Sequence, residues 1–339
     1  MTARDLRPTP TIRDVAREAG VSIGTVSKAL NKTGAIAPET RARVIEVAER
    51  LQFRPNTLAK SLHSGLSGSI GLISNDSFGR FTMPIMEGLE RVLAPQGIGV
   101  FMCNATDDPA RELAHVEQLM AKQIDGIVVT ARRSDRRPSV HLEGLGVPVI
   151  YVFSHSDDPD ALTLLPDDKG GAELAVNHLL QIGRRRIAHI TGPQHFEAVQ
   201  LRRAGYLNAL AAAGTAPLGT LNGKWTEAWG RDAVAQLYGP GLPNPDALFC
   251  GNDLIARGAA DALRELGRLV PQDVAIVGFD NWVVMAEASR PPLTSIDMNL
   301  AGLGAEAGRC MAAMIGGETQ HGQRLLPCTL VTRASTLGL

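Results

Sequence analysis

Residues 11–31 read TIRDVAREAGVSIGTVSKALN and predict two short helices separated by a tight turn. Thr11 is a suitable N-cap residue, and Asp14 stands three positions later in a capping-box-like pair. Apolar residues at helical spacing give the first helix one inner face. Gly20 is placed to end that helix, because the residue that follows a helix often needs a positive φ. Ser22 is then placed to cap a second helix.

The outer face of this second helix carries small, hydroxylated and basic residues. Such a face can enter the major groove of DNA without steric or charge conflict, whereas a catalytic or metal site would need other residue types. A generic helical hairpin is the alternative interpretation. The face comprises Ile23, Gly24, Thr25, Ser27, Lys28 and Asn31.

The same stretch resembles the DNA-binding head of the LacI/GalR family of bacterial transcriptional regulators. The matching residues are Asp14-Val-Ala, the run Ala-Gly-Val-Ser22, Thr25-Val-Ser and Asn31, and the similarity continues through 38–62 and over nearly the whole chain. The resemblance implies an all-α three-helix helix-turn-helix head with a hinge helix. It also implies a bilobed α/β body like that of periplasmic binding proteins, with two doubly wound parallel sheets.

Strands and helices alternate from Ser69 onward, a pattern that predicts parallel sheets covered on both faces. The expected domains are a helix-turn-helix head at 1–54, a hinge helix and linker at 55–68, and an effector-binding and dimerisation domain at 69–339. Within the last domain, the N-lobe is expected at about 69–167 and 298–327. The C-lobe is expected at about 168–297 and 328–339. The main predicted helices of the body lie at 83–94, 110–122, 172–181, 200–213, 254–266 and 303–315.

Charge is distributed unevenly along the 339 residues. Residues 1–66 carry 11 Lys and Arg against 6 Asp and Glu, whereas the remainder carries 23 against 29. A basic head on an acidic body fits an anionic polymer that is bound at one end only.

The cysteine and hydropathy patterns exclude several classes of protein. Four cysteines lie far apart without a histidine cluster, so we expect neither a disulfide framework nor a zinc site, and a reducing cytoplasm, at the nucleoid, is the natural compartment. The first residues lack the apolar core of a secretory signal, and no apolar run approaches the length of a membrane span. We therefore expect no metal and no membrane partner.

The resemblance assigns DNA-contacting roles in the head. Base reading would fall to Ile23, Gly24 and Lys28, although many relatives carry larger polar residues at the first two positions. Gly24 offers no side chain and Ile23 only an apolar one, so Lys28 would supply much of the hydrogen-bonded readout. Thr11 belongs to the same contact set. The residues suited to phosphates are Ser22, Thr25, Ser27, Asn31 and Thr40.

The hinge segment is expected to contact the minor groove. Leu62 matches a family leucine that wedges between base pairs and bends the duplex. A core position in a linker helix is the alternative for Leu62. The remaining hinge candidates are Asn56, Lys60 and His63.

The effector candidates follow predicted strands, because ligands of doubly wound sheets lie beyond the carboxyl ends of the strands. Arg202 offers a planar donor fork, Asn252 both a donor and an acceptor, and Asp280 a carboxylate for hydroxyl groups. Phe81 and Trp225 could stack on a sugar face. These positions also match the effector pocket of the resembled family.

Each effector candidate has a structural alternative. Arg202 could be a surface residue whose role belongs to Arg203, and Asp280 could cap a turn. Asp253 could cap the helix that starts at Leu254. Any of the aromatic residues could be ordinary core residues. Weaker aromatic candidates are Phe78, Trp229 and Trp282.

Three classes of function compete. A dimeric repressor would bind palindromic operator DNA and a small effector, with a sugar expected and a purine or nucleoside as the alternative. A solute-binding protein would need an export signal and no basic head. A sugar kinase or dehydrogenase would need a phosphate loop or a cofactor fingerprint, and neither occurs, so we expect no enzyme activity and no cofactor. The chain lacks the leucine-heptad tail of tetrameric relatives, which predicts a homodimer.

Overall fold

The computed structural model separates the chain into two compact units, Met1–Ser67 and Gly68–Leu339. Each unit has its own hydrophobic core. The residues that the structure describes are 10–31, 33–53, 65–136, 138, 140, 142, 144–239 and 244–337.

The described residues of the first unit form three helices around a small apolar core. They are α1 (Ile12–Ala19), α2 (Ile23–Leu30) and α3 (Pro38–Arg50). Apolar residues at helical spacing on all three helices form the core, and Arg41 adds a hydrogen bond of 3.0 Å to the carbonyl oxygen of Ala29. The fully buried core residues are Val15, Val26, Ala29 and Val44.

The end signals of the helix-turn-helix are confirmed. The backbone N–H and the hydroxyl of Thr11 both donate to Oδ2 of Asp14, at 3.0 and 2.7 Å. Gly20 has φ +66°, and Oγ of Ser22 accepts from the N–H of Thr25 at 3.1 Å. The Thr11–Asp14 contacts fix the start of α1, and the conformation of Gly20 and the contact of Ser22 fix the turn between α1 and α2.

The described residues of the second unit form two six-stranded sheets, one in each lobe. The first sheet is parallel throughout, in the order β11-β5-β4-β3-β1-β2. Its strands are β1 (Ser69–Ser74), β2 (Gly99–Asn104), β3 (Ile127–Thr130), β4 (Val149–Val152), β5 (Leu162–Pro166) and β11 (Gly322–Leu326).

The second sheet has the order β12-β10-β9-β8-β6-β7, and only its edge strand β12 is antiparallel to its neighbour. The last two strands of the chain thus belong to different sheets. The strands of this sheet are β6 (Ile187–Thr191), β7 (Thr220–Asn222), β8 (Ala247–Cys250), β9 (Ala275–Phe279), β10 (Thr294–Asp297) and β12 (Thr329–Val331).

Helices cover the sheets, and no helix in the described part of the chain is both long and apolar enough to span a bilayer. They are α4 (Thr82–Leu93), α5 (Pro109–Ala121), α6 (Asp168–Gln181), α7 (Glu197–Ala212), α8 (Glu227–Leu237), α9 (Asp253–Glu265), α10 (Val283–Ala286), α11 (Leu300–Ile315) and α12 (Ala334–Leu337). A short 3-10 turn, Ala94–Gln96, follows α4.

Helix α6 begins four residues before the predicted start at Ala172. The carboxylate of Asp167 accepts from the N–H of Gly170 at 2.9 Å and caps the helix. Gly171 packs against Phe279, where a side chain would be crowded. Gly170 and Gly171 therefore lie inside a helix at positions where a side chain would be crowded, although their sequence resembles that of a loop. Sequence periodicity also missed β5, β7, β10 and α8.

Helices α4 and α11 approach each other closely through two glycines. A methyl group on Gly88 would overlap the carbonyl oxygen of Ala301, and one on Gly304 would overlap the carbonyl oxygen of Ile85. The obstructing atoms belong to the backbone, so a side-chain rotation cannot relieve the overlap. This helix pair therefore requires glycine at both positions.

We predict that Gly88→Ala destabilises the body by about 1–3 kcal/mol through overpacking. The matched control is Gly99→Ala, because nothing lies within 4 Å of a methyl group built at Gly99. Thermal unfolding followed by circular dichroism measures both. Equal melting temperatures for the two variants would contradict the close packing of α4 on α11.

Candidate functional site: the interlobe cleft and the DNA-facing helix

A buried arginine, Arg202 on α7, joins several elements at the carboxyl edge of the second sheet. Its Nε donates to Oδ1 of Asp168 at 2.7 Å, and its Nη1 donates to the carbonyl oxygen of Gly251 at 2.5 Å. Its guanidinium lies 3.7 Å from the ring centroid of Phe279. Arg202 is 4% exposed, whereas Arg203 is exposed, so Arg202 is the arginine that lies between the strand ends. We call the region where the loops of the two lobes meet, around Arg80, Arg202 and Asp280, the cleft.

Asp280 lies beside Arg202 at the end of β9. Its Oδ1 is 3.7 Å from Nη1 of Arg202, and its Oδ2 accepts from Nη2 of Arg80, a residue of the other lobe. Burial raises the pKa of Asp280, although Arg80 and Arg202 both act to lower it. The carboxylate is thus held between two guanidinium groups, one from each lobe.

The turn that carries Asp280 has an unusual backbone conformation. Asp280 has φ +95° and Asn281 φ +45°, values that non-glycine residues rarely adopt. The N–H of Asp280 donates to the carbonyl oxygen of Ile296 at 2.8 Å, and the N–H of Trp282 donates to Oδ2 of Asp253 at 2.7 Å. These bonds hold the turn in place and direct Asp280 into the cleft.

Asp253 is a buried carboxyl group behind this turn. Besides Trp282, it accepts a hydrogen bond of 2.6 Å from the hydroxyl of Ser295. Burial, and then the charge of Asp280, raise the pKa of Asp253 to about 7. Asp253 is the first residue of α9 rather than its cap. The cap is Asn252, whose Oδ1 accepts from the N–H of Ile255 at 2.9 Å, so the expectation that Asp253 caps the helix is wrong.

The loop after β1 brings aromatic and basic side chains to the cleft. Oδ2 of Asp76 accepts from the N–H of Phe81 at 2.7 Å and fixes the start of α4. The ring of Phe81 stacks on Phe153 with centroids 5.1 Å apart. The guanidinium of Arg80 lies 4.9 Å from the ring centroid of Phe81 and 4.4 Å from that of Trp282.

Two further contacts join the lobes at the cleft. Nε2 of His155, after β4, lies 2.8 Å from Oε2 of Glu197 at the start of α7. The guanidinium of Arg133, after β3, lies 4.6 Å from the ring centroid of Phe196. Together with Arg80 and Asp280, they connect loops of the first sheet to loops of the second.

The remaining aromatic candidates lie in different environments. Trp225 is nearly parallel to Phe196, with centroids 6.3 Å apart, and lies 5.9 Å from Arg202. Trp229 donates from Nε1 to the carbonyl oxygen of Thr191 at 2.9 Å, which gives it a structural role. Phe78 is 97% exposed and lacks a stacking partner among the described residues.

In the head, the α2 face carries the predicted contact residues. Ile23, Gly24, Lys28 and Asn31 are exposed, whereas Thr25 and Ser27 are half-buried. Elsewhere in the head, Thr11 is exposed and Thr40 is half-buried. The hinge candidates Asn56, Lys60, Leu62 and His63 lie outside the described residues.

Comparisons with known proteins agree with both units. Residues 11–56 match the family model described as bacterial regulatory proteins, lacI family, and residues 176–336 match the periplasmic binding protein-like domain. The HTH-type transcriptional repressor PurR of Aliivibrio fischeri (strain MJ11) is 32% identical and covers 96% of this chain and 98% of that protein. The chain belongs to the lacI family.

Other relatives of this lacI-family chain include the ribose operon repressor of Halalkalibacterium halodurans, which is 30% identical over 97% of each chain. Among solved structures, the Lac repressor dimer bound to operator and the anti-inducer ONPF has a TM-score of 0.76, 26% identity, and covers 97% of this chain and 99% of its own. The CelR–cellobiose complex has a TM-score of 0.65 and 29% identity, and the match covers 96% of this chain and 99% of the CelR chain. The lacI-family chain is therefore a transcriptional regulator and not an enzyme.

The sequence indicated Phe81, Arg202, Trp225 and Asp280 as effector candidates, and these residues lie at the cleft. It did not indicate two charged residues of the cleft, Arg80 and Asp168. Asp168 lies in the run Asp-Asp-Lys-Gly-Gly, which resembles a loop, and it is 1% exposed at the start of α6. Burial raises the pKa of Asp168, while Arg202 acts to lower it. A buried arginine is stable only if an acidic side chain is buried beside it. A search for an acidic partner of Arg202 could therefore have indicated Asp168.

We predict that Asp253→Asn reduces the pH dependence of the unfolding free energy. Between the ordinary pKa of 3.8 and about 7, the folded protein holds a proton on Asp253 that the unfolded chain releases. This carboxyl therefore makes stability fall as pH rises, by at most about 1.4 kcal/mol for each pH unit. Asparagine can keep both hydrogen bonds and lacks the titration.

Urea denaturation at several pH values between 4 and 7 measures the effect. All three tryptophans lie in the body, so their fluorescence reports on that unit alone. The stability of the variant relative to the wild-type chain should increase with pH. Parallel stability curves would show that Asp253 ionises in the folded protein at its ordinary pKa.

Proposed function

We propose that this chain is a homodimeric repressor, acting in the cytoplasm at the nucleoid, that binds palindromic operator DNA and is controlled by a sugar or sugar derivative bound between its lobes. The observation that carries the proposal is the cluster of Arg80, Arg202 and Asp280, where a carboxylate of one lobe meets an arginine of the other inside an aromatic-lined cleft.

The DNA-binding part of the proposal rests on α2. Its exposed face is free of acidic side chains and carries Lys28, so it can approach a phosphate backbone and base edges without repulsion. One three-helix head makes a small contact, whereas two heads related by a two-fold axis read a palindrome. A solved relative is a repressor dimer bound to operator, in keeping with this arrangement.

The effector part rests on the chemistry of the cleft. Carboxylate and guanidinium groups bind hydroxyl groups well, and an aromatic face can pack on a sugar ring. Relatives whose names refer to ribose and cellobiose support a sugar. A purine or nucleoside is the second candidate, because the nearly parallel rings of Trp225 and Phe196 offer flat surfaces for stacking a base.

Control would follow from the position of the cleft contacts. A ligand that changes the contacts of Arg80, His155 and Arg133 changes how the lobes pack. Since a ligand can shift an equilibrium only by its different affinity for the two states, the effector must favour one lobe arrangement. The hinge, with Leu62 as the expected minor-groove wedge, would transmit this arrangement to the heads.

We predict that Lys28→Ala weakens binding to the specific operator by about tenfold, the loss of one good base contact. Gel shifts with DNA from upstream of the gene, at fixed salt, measure it against a scrambled duplex. Lys122→Ala is the matched control, because Lys122 is an exposed lysine of the body. Equal weakening on specific and scrambled DNA would assign Lys28 to the phosphates.

We predict that Asp280→Asn abolishes the effector response and leaves operator binding in place, because the amide lacks the charge that strengthens hydrogen bonds from hydroxyl groups. Asparagine tolerates a positive φ, so the turn should persist. Gel shifts with increasing sugar or purine measure the response. The control is Asp261→Asn, a partly exposed carboxylate that pairs with Arg264 on α9. An unchanged response would remove Asp280 from the effector site.

Removal of residues 1–67 separates the competing classes of protein. The repressor proposal predicts that the remaining body loses DNA binding and keeps effector binding, which a thermal-shift assay detects. A full-length chain without affinity for any DNA at low salt would refute the proposal and favour a solute-binding role.

A further inference from the structure

We propose that Arg80 is a built-in competitor for the effector: its guanidinium occupies the subsite on Asp280 that the effector must take. The inference rests on the proposed function, because it assumes that the effector binds in the cleft. It identifies the class of ligand that can act there, an uncharged or cationic ring that donates hydrogen bonds to a carboxylate.

The starting point is that both oxygens of Asp280 have partners. Oδ2 accepts from Nη2 of Arg80, and Oδ1 lies 3.7 Å from Nη1 of Arg202. A carboxylate oxygen can accept more than one hydrogen bond, but the guanidinium of Arg80 lies at Oδ2 and beside the rings of Phe81 and Trp282. A ligand that uses Oδ2 together with these rings can therefore enter only if Arg80 withdraws. The two arginines differ in how firmly they are held, and that difference decides which one yields.

Arg202 is held by several independent contacts. It is paired with Asp168 at 2.7 Å, bonded to the carbonyl oxygen of Gly251, and packed on Phe279 at 3.7 Å. Its withdrawal would leave Asp168 as a buried, uncompensated charge, which is among the costliest changes that a protein interior can undergo. Arg202 therefore stays in place when a ligand enters.

Arg80 has fewer polar contacts than Arg202, although its guanidinium also lies near the rings of Phe81 and Trp282. Its only ion pair among the described residues is the one with Asp280, and its buried Nε lacks a hydrogen-bond partner there. Arginine binds carboxylates best when two N–H groups of its fork are used together, so this pair is incomplete. Arg80 also lies in the loop between β1 and α4, with its side chain 15% exposed and close to water.

The environment of the Arg80 guanidinium defines the ligand that can replace it. The flat group lies near the faces of Phe81 and Trp282 and donates to Asp280. A sugar ring that packs an apolar face on these aromatics and donates hydroxyl hydrogen bonds reproduces the same contacts. A phosphate or carboxylate on the ligand would instead place a second anion beside Asp280 and could not donate a hydrogen bond to it, and like charges repel at such short separations.

The test compares the wild-type chain with Arg80→Gln and Arg80→Lys in a thermal-shift titration. The probes are D-ribose, D-glucose, cellobiose and glucose 6-phosphate. Glutamine removes the competing charge, so neutral sugars should bind about tenfold more tightly, the value expected for one charge-assisted hydrogen bond. Arg80→Lys keeps the positive charge, so this variant should bind the neutral sugars with about the affinity of the wild-type chain. Glucose 6-phosphate should bind more weakly than glucose in the wild-type chain.

The control is Arg264→Gln, an arginine on α9 that pairs with Asp261 away from the cleft and should leave every affinity unchanged. Weaker sugar binding by Arg80→Gln would show that Arg80 contacts the ligand and would overturn the proposal, as would preferential binding of glucose 6-phosphate. The proposal would also be overturned if none of the four probes raised the melting temperature of either the wild-type chain or Arg80→Gln. These outcomes leave the repressor proposal standing, because that proposal fails only if the full-length chain lacks affinity for DNA.

Discussion

The ion pair between Arg202 and Asp168 is the interaction on which the cleft depends. It joins α7 to the start of α6, and the same guanidinium reaches the carbonyl oxygen at the end of β8 and the ring of Phe279 on β9. Burying two charges is expensive unless they are paired and fully hydrogen-bonded. The pair therefore adds little net stability, but it fixes where the strand ends lie and leaves the buried carboxylate of Asp280 beside a positive charge.

From that fixed edge, the site extends toward the other lobe. Asp253 holds the strained turn that carries Asp280, and Asp280 meets Arg80 on the loop before α4. One lobe thus contributes a buried charge cluster, and the other contributes Arg80, beside an aromatic ring, as the partner of Asp280. Such asymmetry suits control by a ligand, because a change of partner on one half-buried arginine can alter the contact between the lobes while both sheets keep their structure.

Short-range chemistry explains which features the sequence predicted. Capping by Thr11 and Ser22 and the positive φ of Gly20 involve residues at most three positions apart, and all were confirmed. The bilobed α/β fold followed from the family resemblance and from alternating apolar runs. By contrast, the start of α6 was misplaced, because Gly171 serves packing against Phe279, a residue more than 100 positions away. Arg80 and Asp168 were missed because their ion-pair partners, Asp280 and Arg202, lie 200 and 34 positions away in the sequence.

The cleft and the DNA-facing helix would be two sites of one linked equilibrium. Calorimetric titration of an effector, identified by its thermal shift, into the free protein and into its operator complex tests this linkage most directly. We predict two different effector Kd values, whose ratio equals the factor by which the effector changes the operator Kd. Identical effector Kd values with and without operator would contradict control of DNA binding from the cleft.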